Sequence, residues 1–216
     1  ALNTLSSIIT KIDQIHSNLI IQALQHLTPI VKDAFIPSLL NFIQVVMSVF
    51  NDSELIEPIG LLLVRLFNYQ KIKSKIPLLN VLANLFKYSN GIMKDVIEEL
   101  LEIIIHMTKE DGEKAIKSIY LLSIFIASFP DSPLLEKSIN VIIECLNMSI
   151  KTSIDSLALI AASPSRNILQ KHLNVIFNLL SQQLSSLDRA IAYHSLWAIR
   201  IFIEFKLLGE NSINQG

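Results

Sequence analysis

Asp95-Val96-Ile97-Glu98-Glu99-Leu100-Leu101-Glu102-Ile103-Ile104-Ile105-His106 is the stretch whose reading decides the fold. Ile97, Leu100, Leu101, Ile104 and Ile105 fall at the i, i+3, i+4, i+7 spacing that gathers side chains onto one side of an α-helix. Asp95, Glu98, Glu99 and Glu102 take the other side, so the segment reads as a helix with one buried face on the edge of a larger assembly. Next along the chain, Ile116, Ile119, Tyr120, Leu121, Leu122, Ile124, Phe125 and Ile126 go round most of a helical cylinder. That helix is expected at the centre, buried on more than one side.

Outward from this pair, the same punctuation recurs, with each apolar run opened by a capping residue or closed by a breaker. Before the pair, runs are expected at Leu2–Ile15, Leu19–Leu27, Asp33–Phe50, from Asp52 or Ser53 to Asn68, and Ile72–Tyr88. The pair itself spans Ile92–Met107 and Asp111–Ser128. After it come Ser132–Met148, Thr152–Ala162, Ser165–Leu184 and Leu187–Leu208, making eleven helices in all. Strand-like alternation is not sustained anywhere, and Gly-rich hairpin signals are absent. Connections are short, which makes consecutive helices antiparallel neighbours. The runs restart near Asp33, Ile72, Lys109, Lys151 and Leu187, at intervals of 39, 37, 42 and 36 residues. A period near ~40 residues is that of helix-pair repeat arrays.

Two units illustrate the repeat. Phe35-Ile36-Pro37-Ser38-Leu39-Leu40, a turn at Asn51-Asp52, and Ile59-Gly60-Leu61-Leu62-Leu63 form one helix–turn–helix; Val96 to Ala127 and Ile168 to Ile203 hold others. In these features the chain resembles the HEAT/armadillo superfamily of helical repeats. Asp111 followed by Lys117 matches the HEAT pattern of a turn aspartate and a basic residue six positions on, whereas Asp188 is followed at that distance by His194. The resemblance implies an all-α, right-handed α-solenoid: a single domain over residues 1–208, with a flexible polar tail at 209–216.

Composition fits a chain that buries helices on two sides. Of 216 residues, 51% are hydrophobic and only 17% charged, and 18 basic residues face 19 acidic ones. A near-neutral chain has no global field to attract nucleic acid or anionic lipid. The longest uncharged stretch, Ala34 to Asn51, is 18 residues and is interrupted by Pro37, Ser38, Asn41, Gln44 and Ser48. It therefore reads as a core helix and not as a membrane span, which needs ~20 apolar residues. The single cysteine, Cys145, lies in an apolar run and has no partner for an intrachain disulfide. This fits a reducing, intracellular setting, cytoplasmic or nuclear.

No motif for chemistry stands out. The histidines at 16, 26, 106, 172 and 194 show no i+3 or i+4 pairing with one another and no HExxH or Cys–His spacing. There is no Gly-rich phosphate loop and no GxSxG elbow. No cofactor, metal or small-molecule substrate is expected, and the chain reads as a non-enzyme.

Three charged or aromatic features are candidates for binding. Asp95, Glu98 and Glu102 form the acidic face already described, suited to a basic peptide. Lys71, Lys73 and Lys75 open the helix from Ile72, where their sign opposes the helix macrodipole. In the last helix Arg189, Tyr193, Trp197, Arg200 and Glu204 share one face, while Leu187, Ile191, Ala198, Ile201 and Phe205 share another. Tyr, Trp and Arg are the residue types enriched at interface hot spots. The second helix of a HEAT-like pair tends to line the concave side, where such residues would meet a partner.

The expected function is therefore a protein–protein interaction scaffold, binding a peptide or a folded partner through Arg189, Tyr193, Trp197 and Arg200 and through the acidic face, as a fragment of a larger HEAT-repeat protein. Exposed end repeats would also let copies associate. An importin-beta-like transport receptor segment and a TOG-like tubulin-binding domain are narrower alternatives, although the early turns lack the tryptophan and basic cluster of TOG domains. A HEAT-like nucleic-acid-binding protein is disfavoured by the net charge of −1 and the single tryptophan.

Overall fold

The computed structural model describes residues 17–27, 33–49, 55–69, 75–89, 96–110, 112–148 and 151–207. Among them the chain is helical, with no strand. The helices are α1 (Ser17–Leu27), α2 (Ile36–Val49), α3 (Ile56–Asn68), α4 (Ile76–Ser89), α5 (Ile97–Thr108), α6 (Glu113–Ser128), α7 (Leu135–Asn147), α8 (Lys151–Ala161), α9 (Leu173–Gln183) and α10 (Arg189–Glu204). Short 3₁₀ turns at Asp33–Phe35 and Pro164–His172 precede α2 and α9. The helix expected at Leu2–Ile15 and the tail at 209–216 lie outside the described residues.

Local chemistry sets many of the boundaries. Pro37, Pro58 and Pro77 each sit in the first turn of a helix, where an amide hydrogen has no intrahelical acceptor and its loss is harmless. Gly112, at φ 70°, turns the chain into α6. The expected helix Ser165–Leu184 is only half α-helical. Ser163 accepts from the Ser165 amide, Pro164 follows it, and the polar stretch to His172 buries only Ser165 and Leu169, so it winds as a 3₁₀ turn before α9 begins at Leu173.

The chain divides into two compact units, residues 1–103 and 104–216, with the boundary inside α5. In the first, α2 packs on α4, α1 packs against α3, and α3 lies beside α4. Leu39, Ile43, Leu63, Leu78, Leu82 and Phe86 are among its fully buried residues. The Glu57 carboxylate accepts from the Val96 amide at 3.2 Å, and Asn68 donates to Glu99 at 3.2 Å, tying α3 to the start of α5.

In the second unit alternate helices stack. The most extensive packing is α6 on α8 and α8 on α10, with α7 beside α6 and α8, and α9 beside α10 and the 3₁₀ turn. One layer is thus α6, α8, α10 and the other α7, the 3₁₀ turn and α9. Helix α8 is the most enclosed, with Ser153, Ile154, Ser156, Leu157, Ala158, Ile160 and Ala161 all buried. Helix α6 was expected to be buried nearly all round, yet its Ile116 and Tyr120 are exposed.

Hydrogen bonds between elements of this unit recur at nearly constant sequence separation. Ser156 donates to the Ile119 carbonyl, Ser165 to Ile126, and Gln183 to Leu146; His172 pairs with Glu136, and His194 with Asp155. In these five the partners are 36 to 39 residues apart, while a sixth bond, from the Ser195 hydroxyl to Gln183, spans 12.

Candidate functional site

Helix α10 is the last described member of the α6, α8, α10 layer, and its local sequence defines both of its own ends. Asp188 caps the start, its Oδ1 accepting from the Ala190 amide at 2.8 Å. At the finish Lys206 takes a left-handed conformation (φ 57°), the Lys206 amide donates to the Ile203 carbonyl, and the Leu207 amide donates to the Phe202 carbonyl, each at 2.9 Å. This is a Schellman closure, with buried Leu207 and Phe202 at the positions of its usual apolar contact. It stops the helix at Glu204, short of the expected Leu208.

Against α8 the helix buries Ser195, Ala198 and Phe202, with Ile191, Ile201 and Phe205 half-buried. Leu187 was expected on this apolar side. It lies before the cap and is fully exposed. His194 Nδ1 meets Asp155 Oδ1 at 2.5 Å, linking α10 to α8, and the Arg166 guanidinium lies 5.3 Å from the centre of the Phe205 ring. The Tyr193 ring stands edge-on to His194, centroids 5.8 Å apart.

The opposite side of α10 faces away from the layer. Arg189, Tyr193, Trp197 and Arg200 are all exposed there, Tyr193 at 67% and Trp197 at 39%, as is Glu204. Two residues that sequence reasoning missed join them: Leu196, 59% exposed, and Ile203, 45% exposed. The signal was present. Arg189, Tyr193, Leu196, Arg200 and Ile203 step by 4, 3, 4 and 3 residues, the spacing of a helix–helix seam, with Trp197 and Glu204 along one flank. None of Arg189, Arg200 and Glu204 has an ion-pair partner among the described residues. Aromatic, aliphatic and cationic groups of this kind, in one stripe, can bury an apolar helix face and hold an anionic or aromatic group beside it.

The acidic candidates belong to the first unit. Glu98, Glu99 and Glu102 lie on the exposed side of α5, and Asp95 lies outside the described residues. Glu99 is engaged by Asn68, and Glu102 also has an interaction partner within the chain. Of the basic run, Lys71 and Lys73 lie outside the described residues. Lys75 precedes α4, which starts at Ile76 and not at Ile72, and its ammonium donates to the Phe67 carbonyl near the C-terminus of α3. A cation is favourable there, so Lys75 has a structural role on the neighbouring helix.

The remaining polar groups are held in place by packing. His26 and His106 are exposed and His16 lies outside the described residues, while His172 Nε2 meets Glu136 at 2.9 Å. No cluster of three metal-ligating side chains occurs among the described residues. Burial, with the Glu144 carboxylate as a lesser cause, raises the Cys145 thiol above its ordinary pKa and keeps it protonated. A cleft of about 260 Å³ between the end of α7 and the end of α9 is lined by Asn147, Leu179, Gln182, Gln183, Ser185 and Ser186, none of which titrates near neutrality. Among the described residues no helix is long and apolar enough to cross a membrane. No family model, curated protein or solved structure matches the chain.

Proposed function

We propose that the chain is a non-enzymatic protein-interaction module of HEAT/armadillo-like helical repeats, working inside the cell, and that the outer face of α10 is where it takes a protein. The observation that carries this is the two-sidedness of α10. One side is buried under Phe202 and Ala198, while the other exposes Tyr193, Leu196, Trp197 and Ile203 in a single stripe. Exposed apolar residues are ordinary when scattered, but an aromatic and aliphatic seam flanked by two arginines marks a surface that binds protein.

The repeat reading is supported within the second unit by the stacking of alternate helices and by cross-links recurring at 36 to 39 residues, close to the ~40-residue period of helix-pair repeats. A solenoid of such repeats works by presenting a preorganised surface, with no bond made or broken. The acidic side of α5 is the weaker surface, since Glu99 and Glu102 are already engaged within the chain.

Affinity capture from the native cell with the wild-type chain and with Tyr193→Ala/Trp197→Ala side by side tests the assignment. Proteins held through this face should fall by at least roughly ten-fold with the double variant. An identical set of captured proteins, including identical capture of an untagged copy of the chain, would remove α10 as the binding surface.

A further inference from the structure

From the pattern of groups on α10 we infer that the occupant of its outer face is a second copy of the same chain, docked with the two α10 helices antiparallel about a twofold axis; this rests on the reading of that face as a protein-binding surface. The stripe is self-complementary when reversed. Turned about the midpoint between Leu196 and Trp197, Arg189 of one copy comes opposite Glu204 of the other, Tyr193 opposite Arg200, and Leu196 opposite Trp197. The symmetry makes each of these pairs twice. They are an ion pair, a cation–π pair and an apolar contact at the centre, a charged and aromatic rim around a hydrophobic middle. A parallel arrangement would instead set Arg189, Arg200 and Glu204 each against its own like charge.

The helix dipole points to the same pairing independently. Arg189 is the first residue of α10 and Glu204 the last, and α10 has no acidic residue in its first turn and no basic residue in its last. Both charges therefore oppose the dipole of their own helix, with only the Asp188 cap offsetting the first. In the antiparallel pair each carboxylate lies at the partner's N-terminus and each guanidinium at its C-terminus, where the dipole favours them. The groups that would make these contacts are exposed, and the charged ones have no ion-pair partner among the described residues. One helix against its copy lies near the lower limit of roughly 1,000 Å² for a specific interface, so the dissociation constant is expected to be of the order of micromolar.

Sedimentation equilibrium of the 216-residue chain from about 1 to about 100 μM reads this directly. The wild type should be a reversible dimer, and Trp197→Ala or Leu196→Glu should raise the dissociation constant by at least roughly ten-fold, with unchanged helical circular dichroism. Arg189→Glu and Glu204→Arg should each weaken the homodimer, because like charges then meet at both ends. An equimolar mixture of these two variants should associate as tightly as the wild type, because in the mixed dimer both end pairs are again of opposite sign. A wild-type monomer throughout the range, a dimer indifferent to these substitutions, or a mixture no tighter than its components overturns the second copy as occupant. If the chain is monomeric yet captures another protein that Tyr193→Ala/Trp197→Ala loses, the face remains a binding surface and only the self-pairing fails. A monomer with an unchanged capture removes both.

Discussion

Helices α4 and α8 occupy comparable places in the two units, each packed against more than one neighbour, but they fill their surroundings with different chemistry. Helix α4 buries Leu78, Leu79, Val81, Leu82, Leu85 and Phe86, and its one buried hydroxyl, Ser89, donates to the Phe86 carbonyl of the same helix, so its contacts with neighbouring helices are mainly hydrocarbon. Helix α8 buries Ser153, Ser156, Ala158 and Ala161 among its larger residues, between α6 and α10. Small side chains let helix backbones approach, and a buried hydroxyl must then find an acceptor, usually a helix carbonyl. Ser156 on α8 donates to the Ile119 carbonyl of α6, and Ser165 in the 3₁₀ turn to the Ile126 carbonyl of α6. The buried Gln183 amide bridges the Leu146 carbonyl and the Ser195 hydroxyl. Apolar packing is non-directional, whereas these bonds require one relative position of the helices. The second unit therefore has its register specified by polar groups, and that register carries α10 with its outer stripe turned away from the layer.

The largest expected effect lies on the apolar side of this comparison. Phe86→Ala should cost about 3–5 kcal/mol in denaturant unfolding, because a fully buried ring leaves a cavity that its aliphatic neighbours fill only in part. A loss below about 1 kcal/mol would show that the first unit's core is loosely packed and would remove the contrast. On the other side, Ser156→Leu should destabilise by about 1–3 kcal/mol even though it adds hydrocarbon, since Ser156 is fully buried on α8 and its hydroxyl faces the Ile119 carbonyl of α6 at 3.5 Å. A gain in stability there would break the argument from close approach. The smallest effect should have the opposite sign. Ser118 on α6 is fully buried and its hydroxyl has no hydrogen-bond partner among the described residues, so Ser118→Ala should be neutral to about 1 kcal/mol stabilising in thermal unfolding. Destabilisation would mean that the hydroxyl is engaged after all.

Much of this was legible in the sequence. The amphipathic reading of α5 placed Ile97, Leu100, Leu101, Ile104 and Ile105 in the core and Glu98, Glu99 and Glu102 outside, as the structure has them. The exposure of Arg189, Tyr193, Trp197 and Arg200 followed from their spacing. Leu196 and Ile203 were missed because hydropathy assigns such residues to the core wherever they fall. Leu187 was misplaced because a leucine beside a helix looks the same as one inside it until the cap at Asp188 is seen. Lys75 was read as part of a basic run that could bind a partner, since nothing local to its own helix reveals the carbonyl of Phe67 that it serves. Buried serines are spelled like surface ones, so the bonds that set the second unit's register left no trace in composition or periodicity.

The amino-acid sequence by itself determined that this chain is helical, where most helices begin, and which residues share a face, because helix geometry is a local property that repeats with every turn. Only the tertiary structure decided which face of a helix is covered when apolar residues surround most of it. On α10 that choice falls to Phe202 and Ala198 and leaves Leu196, Trp197 and Ile203 outside, because α8 lies against the first side and, among the described residues, no helix covers the second.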